Sequence, residues 1–140
     1  MKAAADVTNG EAGDAAGTAP LAGLSILLVE DEFLIALDLC EMLEAAGARV
    51  VGPAYRAEEA LALLEAQKID MAVLDVDLGD HGAEPVALRM AERRVPFLFH
   101  TGRGLPPHLR ERFEGVPLLV KPAPRQLLVG ALRALAGDGG

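Results

Sequence analysis

The sequence predicts one doubly wound α/β domain, a three-layer sandwich around a five-stranded parallel sheet. Five short apolar runs alternate with segments of helical periodicity, which gives five βα units. The apolar runs lack an apolar–polar alternation, as expected for strands that helices cover on both faces. With 140 residues, of which 51% are hydrophobic, the chain is long enough for one domain with a substantial core. Right-handed crossovers between parallel strands then place helices on both sides of the sheet.

The first two units begin with the apolar runs 24–29 and 49–51, each of a length typical of a strand. Gly47 ends the first helix, and Gly52-Pro53 follows the second strand. Apolar residues at helical spacing predict the two helices: Ile35, Leu39, Met42, Leu43 and Ala46 in the first, and Ala57, Ala60, Leu61 and Leu64 in the second.

The remaining three units follow the same alternation. Asp75 closes the third strand, and Pro85 is tolerated in the first turn of the third helix. The predicted strands are 71–74, 95–99 and 116–120, and the predicted helices are 84–94, 107–114 and 124–136.

Both ends of the chain are predicted to be flexible. Residues 1–20 are mostly Ala, Gly and small polar residues, which bury too little surface to be ordered. The domain is therefore expected to span 21–137, with 138–140 frayed. No apolar run has the length of a membrane span and no signal peptide is recognisable, which favours a cytoplasmic protein without a membrane partner.

The charge of the chain limits its partners. The formal net charge of −8 argues against nucleic acid. The charge is uneven, because residues 89–125 contain 8 basic and 3 acidic residues. Arg110, Arg112 and Arg125 in this stretch form either a site for an acidic partner or an ordinary solvated surface.

Cysteine and histidine usage argues against several kinds of site. The single cysteine, Cys40, excludes a disulfide framework or a zinc site of several thiolates, and we expect it to be a small packed side chain. His81, His100 and His108 show no metal-ligand spacing, so we expect them on the surface or in loops.

Polar residues stand where the apolar strands stop. Glu30 and Asp31 follow the first strand, Asp75 the third, Thr101 the fourth and Lys121 the fifth. The carboxyl ends of parallel strands meet at one edge of the sheet, where open α/β folds bind ligands. Three carboxylates, one hydroxyl and one ammonium group are therefore expected to converge.

Such a cluster has a definite chemistry. Carboxylates in contact repel each other by about 4 kcal/mol per pair at an effective dielectric of about 20, unless a cation lies between them. Oxygen ligands with room for water favour Mg²⁺. A carboxylate held against Mg²⁺ can attack phosphorus and form an aspartyl phosphate. Lys121 would neutralise the added charge, and the Thr101 hydroxyl would donate a hydrogen bond to it.

Four segments carry a family resemblance: LLVEDE (27–32), AVLDVDL (72–78), FLFHTG (97–102) and LLVKPAP (118–124). Together they resemble the motifs of bacterial response-regulator receiver domains, over about residues 22–136. The resemblance implies a flavodoxin-like fold with strand order 2-1-3-4-5. Because no output module follows the fifth helix, it also implies a stand-alone, single-domain regulator.

The resemblance assigns roles at the phosphoryl site by position. Asp75 matches the phosphoacceptor, Thr101 the switch hydroxyl and Lys121 the lysine that all such sites use. The Lys121-Pro122 peptide bond is expected to be cis, as is typical of the family.

The resemblance also implies a Mg²⁺ site. Asp31 matches the principal acidic ligand beside Asp75, and the main-chain carbonyl of Asp77 matches the third protein ligand. Glu30 would assist, often through water. Two simpler interpretations stay open: Glu30 as an acid at a helix N-terminus, stabilised by the helix dipole, and Asp77 as the cap of a turn.

The segment 99–104 is similar to the Phe-Ala-Thr-Gly pattern of the FATGUY subgroup, whose members act in phosphorelays that include general stress-response circuits. His100 and Gly104 depart from that pattern. Receiver domains usually have Tyr or Phe at the position of Leu118, where the ring turns inward as the threonine moves. Switching here is therefore expected to rely on the Thr101 loop and Lys121.

The resemblance further implies the partners. A histidine kinase or histidine phosphotransferase would donate the phosphoryl group, and the first helix would meet it. A downstream protein target is expected, and a homodimer through the face of the fourth helix, fifth strand and fifth helix. Such a protein catalyses its own phosphorylation and dephosphorylation and is not a metabolic enzyme.

Two other functions stay open. A small Mg²⁺-dependent phosphohydrolase would use Asp75 as nucleophile, but haloacid-dehalogenase-like enzymes usually have Thr or Val where this chain has Gly79, and they need cap segments. A binding-only pseudo-receiver disagrees with the full set of site residues, although Leu118 keeps it open. Turnover of small phosphate esters would favour the first, and absence of Mg²⁺-dependent phosphoryl uptake the second.

Overall fold

The computed structural model describes residues 19–78 and 82–139, and within them it has five strands and five helices. The strands are β1 (Ser25–Val29), β2 (Arg49–Ala54), β3 (Met71–Asp75), β4 (Phe97–Thr101) and β5 (Leu118–Val120). The helices are α1 (Phe33–Ala45), α2 (Ala57–Ala66), α3 (Glu84–Glu92), α4 (Pro107–Arg112) and α5 (Arg125–Gly139). All neighbouring strands pair in parallel, in the order β2-β1-β3-β4-β5. The predicted doubly wound fold and its strand order are confirmed.

The register of the sheet brings the strand ends to one level. Val29 of β1 pairs with Leu74 of β3, so these two strands end next to each other. Further along, the N–H of Lys121 donates to the carbonyl oxygen of Thr101 at 2.7 Å, which ties the end of β5 to the end of β4. The polar residues that follow the strands therefore share one edge.

Two apolar layers hold the sheet. The layer under α1 and α5 includes Leu28, Leu39, Leu43, Leu98, Leu128 and Leu132, and the opposite layer under α2, α3 and α4 includes Leu27, Leu64, Leu74, Met90 and Phe99. In the second layer Phe97, Phe99 and Phe113 form an edge-to-face cluster with ring centroids 5.4 to 6.0 Å apart. Phe113 directly follows α4, so this cluster holds the end of that helix against β4.

β2 is longer than the predicted strand 49–51. A bulge in its pairing with β1 lets Val29 pair with Ala54, and the N–H of Glu30 donates to the carbonyl oxygen of Ala54 at 2.9 Å. Since residues 52–54 stay in the ladder, the strand reaches the same edge as β1.

α3 ends before, and β4 starts after, the predicted boundaries. Arg94 has a left-handed φ of 59°, which stops the helix. The N–H of Val95 then donates back to the carbonyl oxygen of Met90 at 2.8 Å. The chain becomes available to the sheet only from Phe97.

β5 is an exposed edge strand, contrary to the expectation that helices cover every strand on both faces. Leu118 is 38% and Val120 60% exposed. The strand starts later than predicted because Pro117 has no N–H for the ladder. The neighbouring α4 has only six residues and covers little of the strand.

The described structure begins within the predicted N-terminal tail and ends with α5. The predicted tail lies outside the described residues except for its last two, and there the carbonyl oxygen of Pro20 accepts a hydrogen bond from Arg133 at 2.9 Å. α5 reaches Gly139, three residues beyond its predicted end. The Lys121-Pro122 bond is cis, as expected, and Gly52-Pro53 is cis as well. No helix within 19–78 and 82–139 is long and apolar enough to cross a membrane.

Candidate functional site

The carboxyl edge of the sheet buries two carboxylates around one ammonium group. Glu30 and Asp75 are each 0% exposed. The Lys121 Nζ atom lies 3.1 Å from Glu30 Oε1 and 3.1 Å from Asp75 Oδ1, and it donates to Glu30 Oε2 at 3.2 Å. A buried charge needs a partner to be tolerated. One lysine side chain serves both carboxylates.

A third carboxylate completes the cluster. Glu30, Asp31 and Asp75 each offer one oxygen, and these atoms all lie within 4.8 Å of one another. Asp31 is exposed, whereas the other two are buried, so the cluster opens to solvent on the Asp31 side. Its three carboxylates outnumber the single ammonium group of Lys121, and a divalent cation would balance the excess negative charge.

The two oxygens of Asp75 have different surroundings. Oδ1 accepts hydrogen bonds from Lys121 Nζ at 3.1 Å and from the N–H of Asp77 at 3.0 Å. Oδ2 is buried and has no hydrogen-bond partner among the described residues. A buried acceptor without a donor is uncommon in folded proteins, and an oxygen that coordinates a metal or attacks phosphorus needs this freedom.

The charges of the cluster shift three pKa values. Burial, and then the negative charge of Glu30, raise the pKa of Asp75 to about 7, against the opposing effect of Asp77 N–H and Lys121. Burial also raises the pKa of Glu30, but His100, the N–H of Glu32 and Lys121 together outweigh it and keep that pKa below its usual value. The pKa of Lys121 is raised: burial lowers it, but the two carboxylates outweigh burial.

Thr101 ends β4 and is fully buried. Its hydroxyl donates to the carbonyl oxygen of Gly104 at 2.9 Å and accepts a hydrogen bond from the N–H of Arg103 at 3.0 Å. These two bonds tie the hydroxyl to its own loop. For the predicted bond to a phosphoryl group, the hydroxyl has to exchange the Gly104 carbonyl for a new acceptor.

The prediction for His100 was wrong. This residue lies within β4, is 2% exposed, and pairs with Asp75 across the sheet. Its Nδ1 atom is 3.8 Å from Glu30 Oε1. The sequence signal was available, because His100 stands inside an apolar run and shares its strand face with Leu98.

The other predicted residues lie as follows. His108 is exposed on α4, as expected, and His81 lies outside the described residues. Cys40 is half-buried on α1. Two of the three arginines have partners within the chain: Arg110 donates to the carbonyl oxygen of Leu105 at 2.9 Å, and Arg112 donates to Glu84 at 3.0 Å.

Comparison with known proteins agrees with this geometry. The sequence model of the family described as response regulator receiver domain matches residues 26–133. The chain is 37% identical over 70 residues to the transcriptional regulatory protein PdtaR of Mycobacterium tuberculosis, a match over 50% of this chain and 34% of that protein. It is 39% identical over 80 residues to the transcriptional regulatory protein YvrH of Bacillus subtilis, over 56% of this chain and 34% of that protein. The chain thus spans about a third of the length of these curated relatives.

The chain is also similar in fold to solved structures over more than four fifths of its length. SdrG from Sphingomonas melonis is 39% identical with a TM-score of 0.70, covering 83% of this chain and 97% of that one. The response regulator PhyR from Brucella abortus is 30% identical with a TM-score of 0.71, covering 84% of this chain and 49% of that one.

Proposed function

The chain belongs to the response regulator receiver-domain family, and on that premise we propose that Asp75 accepts a phosphoryl group from a phosphohistidine in a two-component phosphorelay. Members of this family are signalling domains of such systems. The observation that carries the proposal is the carboxylate of Asp75 at the carboxyl edge of the sheet. Its Oδ1 contacts Lys121 at 3.1 Å, and its buried Oδ2 has no hydrogen-bond partner among the described residues.

Asp75 Oδ2 is the proposed nucleophile. Attack on the phosphorus atom forms an O–P bond while the P–N bond to the donor histidine breaks, and the released imidazole takes up a proton. Oδ1 stays anchored by Asp77 N–H and Lys121, which fixes the carboxylate and leaves Oδ2 without a competing donor. Holding the nucleophile in one orientation lowers the entropic part of the barrier.

The donor set fits Mg²⁺. Asp31, Asp75 and the main-chain carbonyl of Asp77 would hold the ion, and Glu30 would assist through water. The support is the cluster of carboxylate oxygens of Glu30, Asp31 and Asp75 within 4.8 Å, whose negative charge Lys121 alone does not balance. When bound, the ion supplies positive charge that offsets carboxylate repulsion and polarises the phosphoryl oxygens.

Lys121 and Thr101 would respond to the new phosphoryl group. Lys121 already contacts Asp75 and needs only a small movement to pair with a phosphoryl oxygen. The Thr101 hydroxyl would leave the carbonyl of Gly104 to donate to another oxygen. That exchange moves the loop before α4, and the changed surface alters contacts with a protein partner.

The proposed partners follow from the family. A histidine kinase or histidine phosphotransferase supplies the phosphoryl group in the cytoplasm. A protein target, or a second copy of the chain through α4, β5 and α5, receives the signal. One relative, from Bartonella quintana, is described as the anti-anti-sigma factor PhyR, at 27% identity and a TM-score of 0.67. This likeness favours a target in the control of transcription by sigma factors, within the FATGUY-like group.

The test is intact mass after incubation with acetyl phosphate or phosphoramidate and Mg²⁺. We expect one phosphoryl adduct on the wild type and none on Asp75→Asn or after chelation of the metal. Glu41→Gln is the control, since it removes an exposed carboxylate from α1 and should leave the adduct intact.

The same assay separates the competing functions. If folded wild-type protein takes up no phosphoryl group from these donors or from a phosphorylated histidine phosphotransferase, the chain is a binding-only pseudo-receiver. If it turns over small phosphate esters repeatedly, it is a phosphohydrolase.

A further inference from the structure

A buried histidine stands behind the acidic cluster, where the proposed chemistry does not use it. His100 is 2% exposed in β4 and lines a cavity of about 210 Å³ between α1 and the segment 121–123. Neither of its ring nitrogens has a hydrogen-bond partner among the described residues. Buried polar atoms are almost always satisfied in folded proteins, so this side chain calls for a role.

Glu30 provides the partner. Its Oε2 atom accepts hydrogen bonds from the N–H of Glu32 and from Lys121 Nζ, both at 3.2 Å. Its Oε1 atom faces Lys121 Nζ at 3.1 Å as an ion pair without hydrogen-bond geometry, and lies 3.8 Å from His100 Nδ1. At 3.8 Å the two atoms are slightly too far apart for a hydrogen bond. A small rotation of either side chain closes the gap and satisfies two buried atoms.

The position of His100 also matters for Lys121. Glu30 and Asp75 compete for the ammonium group of Lys121. A second donor to Glu30 therefore weakens its interaction with Lys121 and strengthens the interaction of Lys121 with Asp75. His100 is the other side-chain donor near Glu30 Oε1 within the described part of the chain. Without it, Lys121 is the one side-chain donor left to Glu30 among the described residues, and both Glu30 oxygens compete with Asp75 for it.

We propose that His100 is a positioning residue: its Nδ1–H donates to Glu30 Oε1, which orients the Glu30 carboxylate for Mg²⁺ and keeps Lys121 on Asp75. Nε2 is then an acceptor directed to the cavity. A hydrogen bond to the carboxylate behind a metal site typically changes metal affinity by about 10-fold to 100-fold. This role rests on the proposed Mg²⁺ site and adds a residue to it.

Three substitutions at His100 distinguish the role of Nδ1 from that of Nε2. His100→Asn places an amide nitrogen near the position of Nδ1, His100→Gln places one near Nε2, and His100→Leu keeps the bulk without a donor. Mg²⁺ alone is the probe, and the amide shift of Asp77, whose N–H contacts Asp75, reports its binding by NMR. His108→Leu, which changes an exposed histidine on α4, is the control.

We expect His100→Leu to weaken Mg²⁺ binding about 10-fold and His100→Asn to restore it to within about 3-fold of wild type. His100→Gln should resemble His100→Leu. A purely structural histidine predicts something else, because removing unpaired buried nitrogens would raise thermal stability and leave Mg²⁺ affinity unchanged. Equal affinity of wild type and His100→Leu, or no difference between the Asn and Leu variants, overturns the proposal.

A second measurement needs no metal. The ¹⁵N shifts of the His100 ring distinguish a protonated from an unprotonated nitrogen, and we expect the proton on Nδ1 in wild type and in Asp75→Asn. A proton on Nε2 overturns the proposal. If the wild type binds no Mg²⁺ while the ring carries its proton on Nδ1, the proposed function fails and the contact between His100 and Glu30 stands.

Discussion

Replacing Asp75 by Asn should make the metal-free protein more stable, although it removes the proposed nucleophile. The carboxylate of Asp75 is fully buried beside Glu30, and one lysine serves both. Asn has nearly the same size, keeps an oxygen for the N–H of Asp77, and carries no charge. The variant therefore loses the cost of burying a second carboxylate and leaves Glu30 with its own Lys121 partner.

The magnitude follows from the pKa of Asp75. Burial and Glu30 raise this pKa from 3.8 to about 7 in the folded protein, so the folded state holds its proton more tightly than the unfolded chain does. Stability therefore falls as pH rises from about 4 to 7 and is level above that range. The difference of about 3 pKa units corresponds to about 4 kcal/mol at pH 8 and about 2 kcal/mol at pH 5, in favour of the Asn variant.

Chemical denaturation in chelator at pH 5 and pH 8 measures both values. The difference between wild type and variant cancels the titration of groups away from the site, so its pH dependence comes from Asp75 and from its interaction with Glu30 and Lys121. At pH 8 the gain should raise the melting temperature by roughly 10 °C or more. An Asn variant no more stable than the wild type at pH 8, or an advantage that does not grow with pH, would refute the reasoning.

Four further outcomes are expected. Lys121→Met leaves the buried carboxylates without a cation and should destabilise the metal-free protein by about 3–5 kcal/mol in chemical denaturation; a smaller loss than for an exposed lysine would contradict this. Thr101→Val loses two loop hydrogen bonds and should cost about 1–3 kcal/mol, with phosphoryl uptake by intact mass retained. Mg²⁺ at about ten times its dissociation constant should stabilise the wild type by about 1.4 kcal/mol in thermal melts, and Asp31→Ala should abolish this gain. Burial, and then Glu44, raise the pKa of the Cys40 thiol, so iodoacetamide should label native protein at pH 8 much more slowly than unfolded protein.

The number, type and order of the strands and helices could be predicted because the signal for them is spread along the chain. Five apolar runs, each followed by a helical repeat, fix the number and order of the elements, and no single residue decides the result. The boundaries differ where one hydrogen bond or one backbone angle decides. The left-handed Arg94 delays β4, and the bulge opposite Val29 extends β2.

The sequence predicted the carboxylates and the lysine of the candidate site, and it missed the burial of His100 beside them. Glu30, Asp31 and Asp75 converge as expected, and Lys121 lies among them. His100 was expected on the surface or in a loop, because the three histidines of the sequence show no metal-ligand spacing. All five residues of β4 are buried, so the position of His100 inside an apolar run was the signal that was not used.

The aromatic cluster behind β4 has a mechanical consequence. α4 has six residues, so its two ends lie about 9 Å apart along the helix axis. At the C-terminal end of α4, Phe113 packs against Phe97 and Phe99. The N-terminal end follows the loop whose Gly104 carbonyl oxygen accepts a hydrogen bond from the Thr101 hydroxyl. When one end of a helix is held by packing and the other end moves with a loop, the helix rotates about the held end. We expect movement of that loop to tilt α4 around Phe113, with backbone amide NMR shift changes that are largest at His108 and decrease toward Phe113.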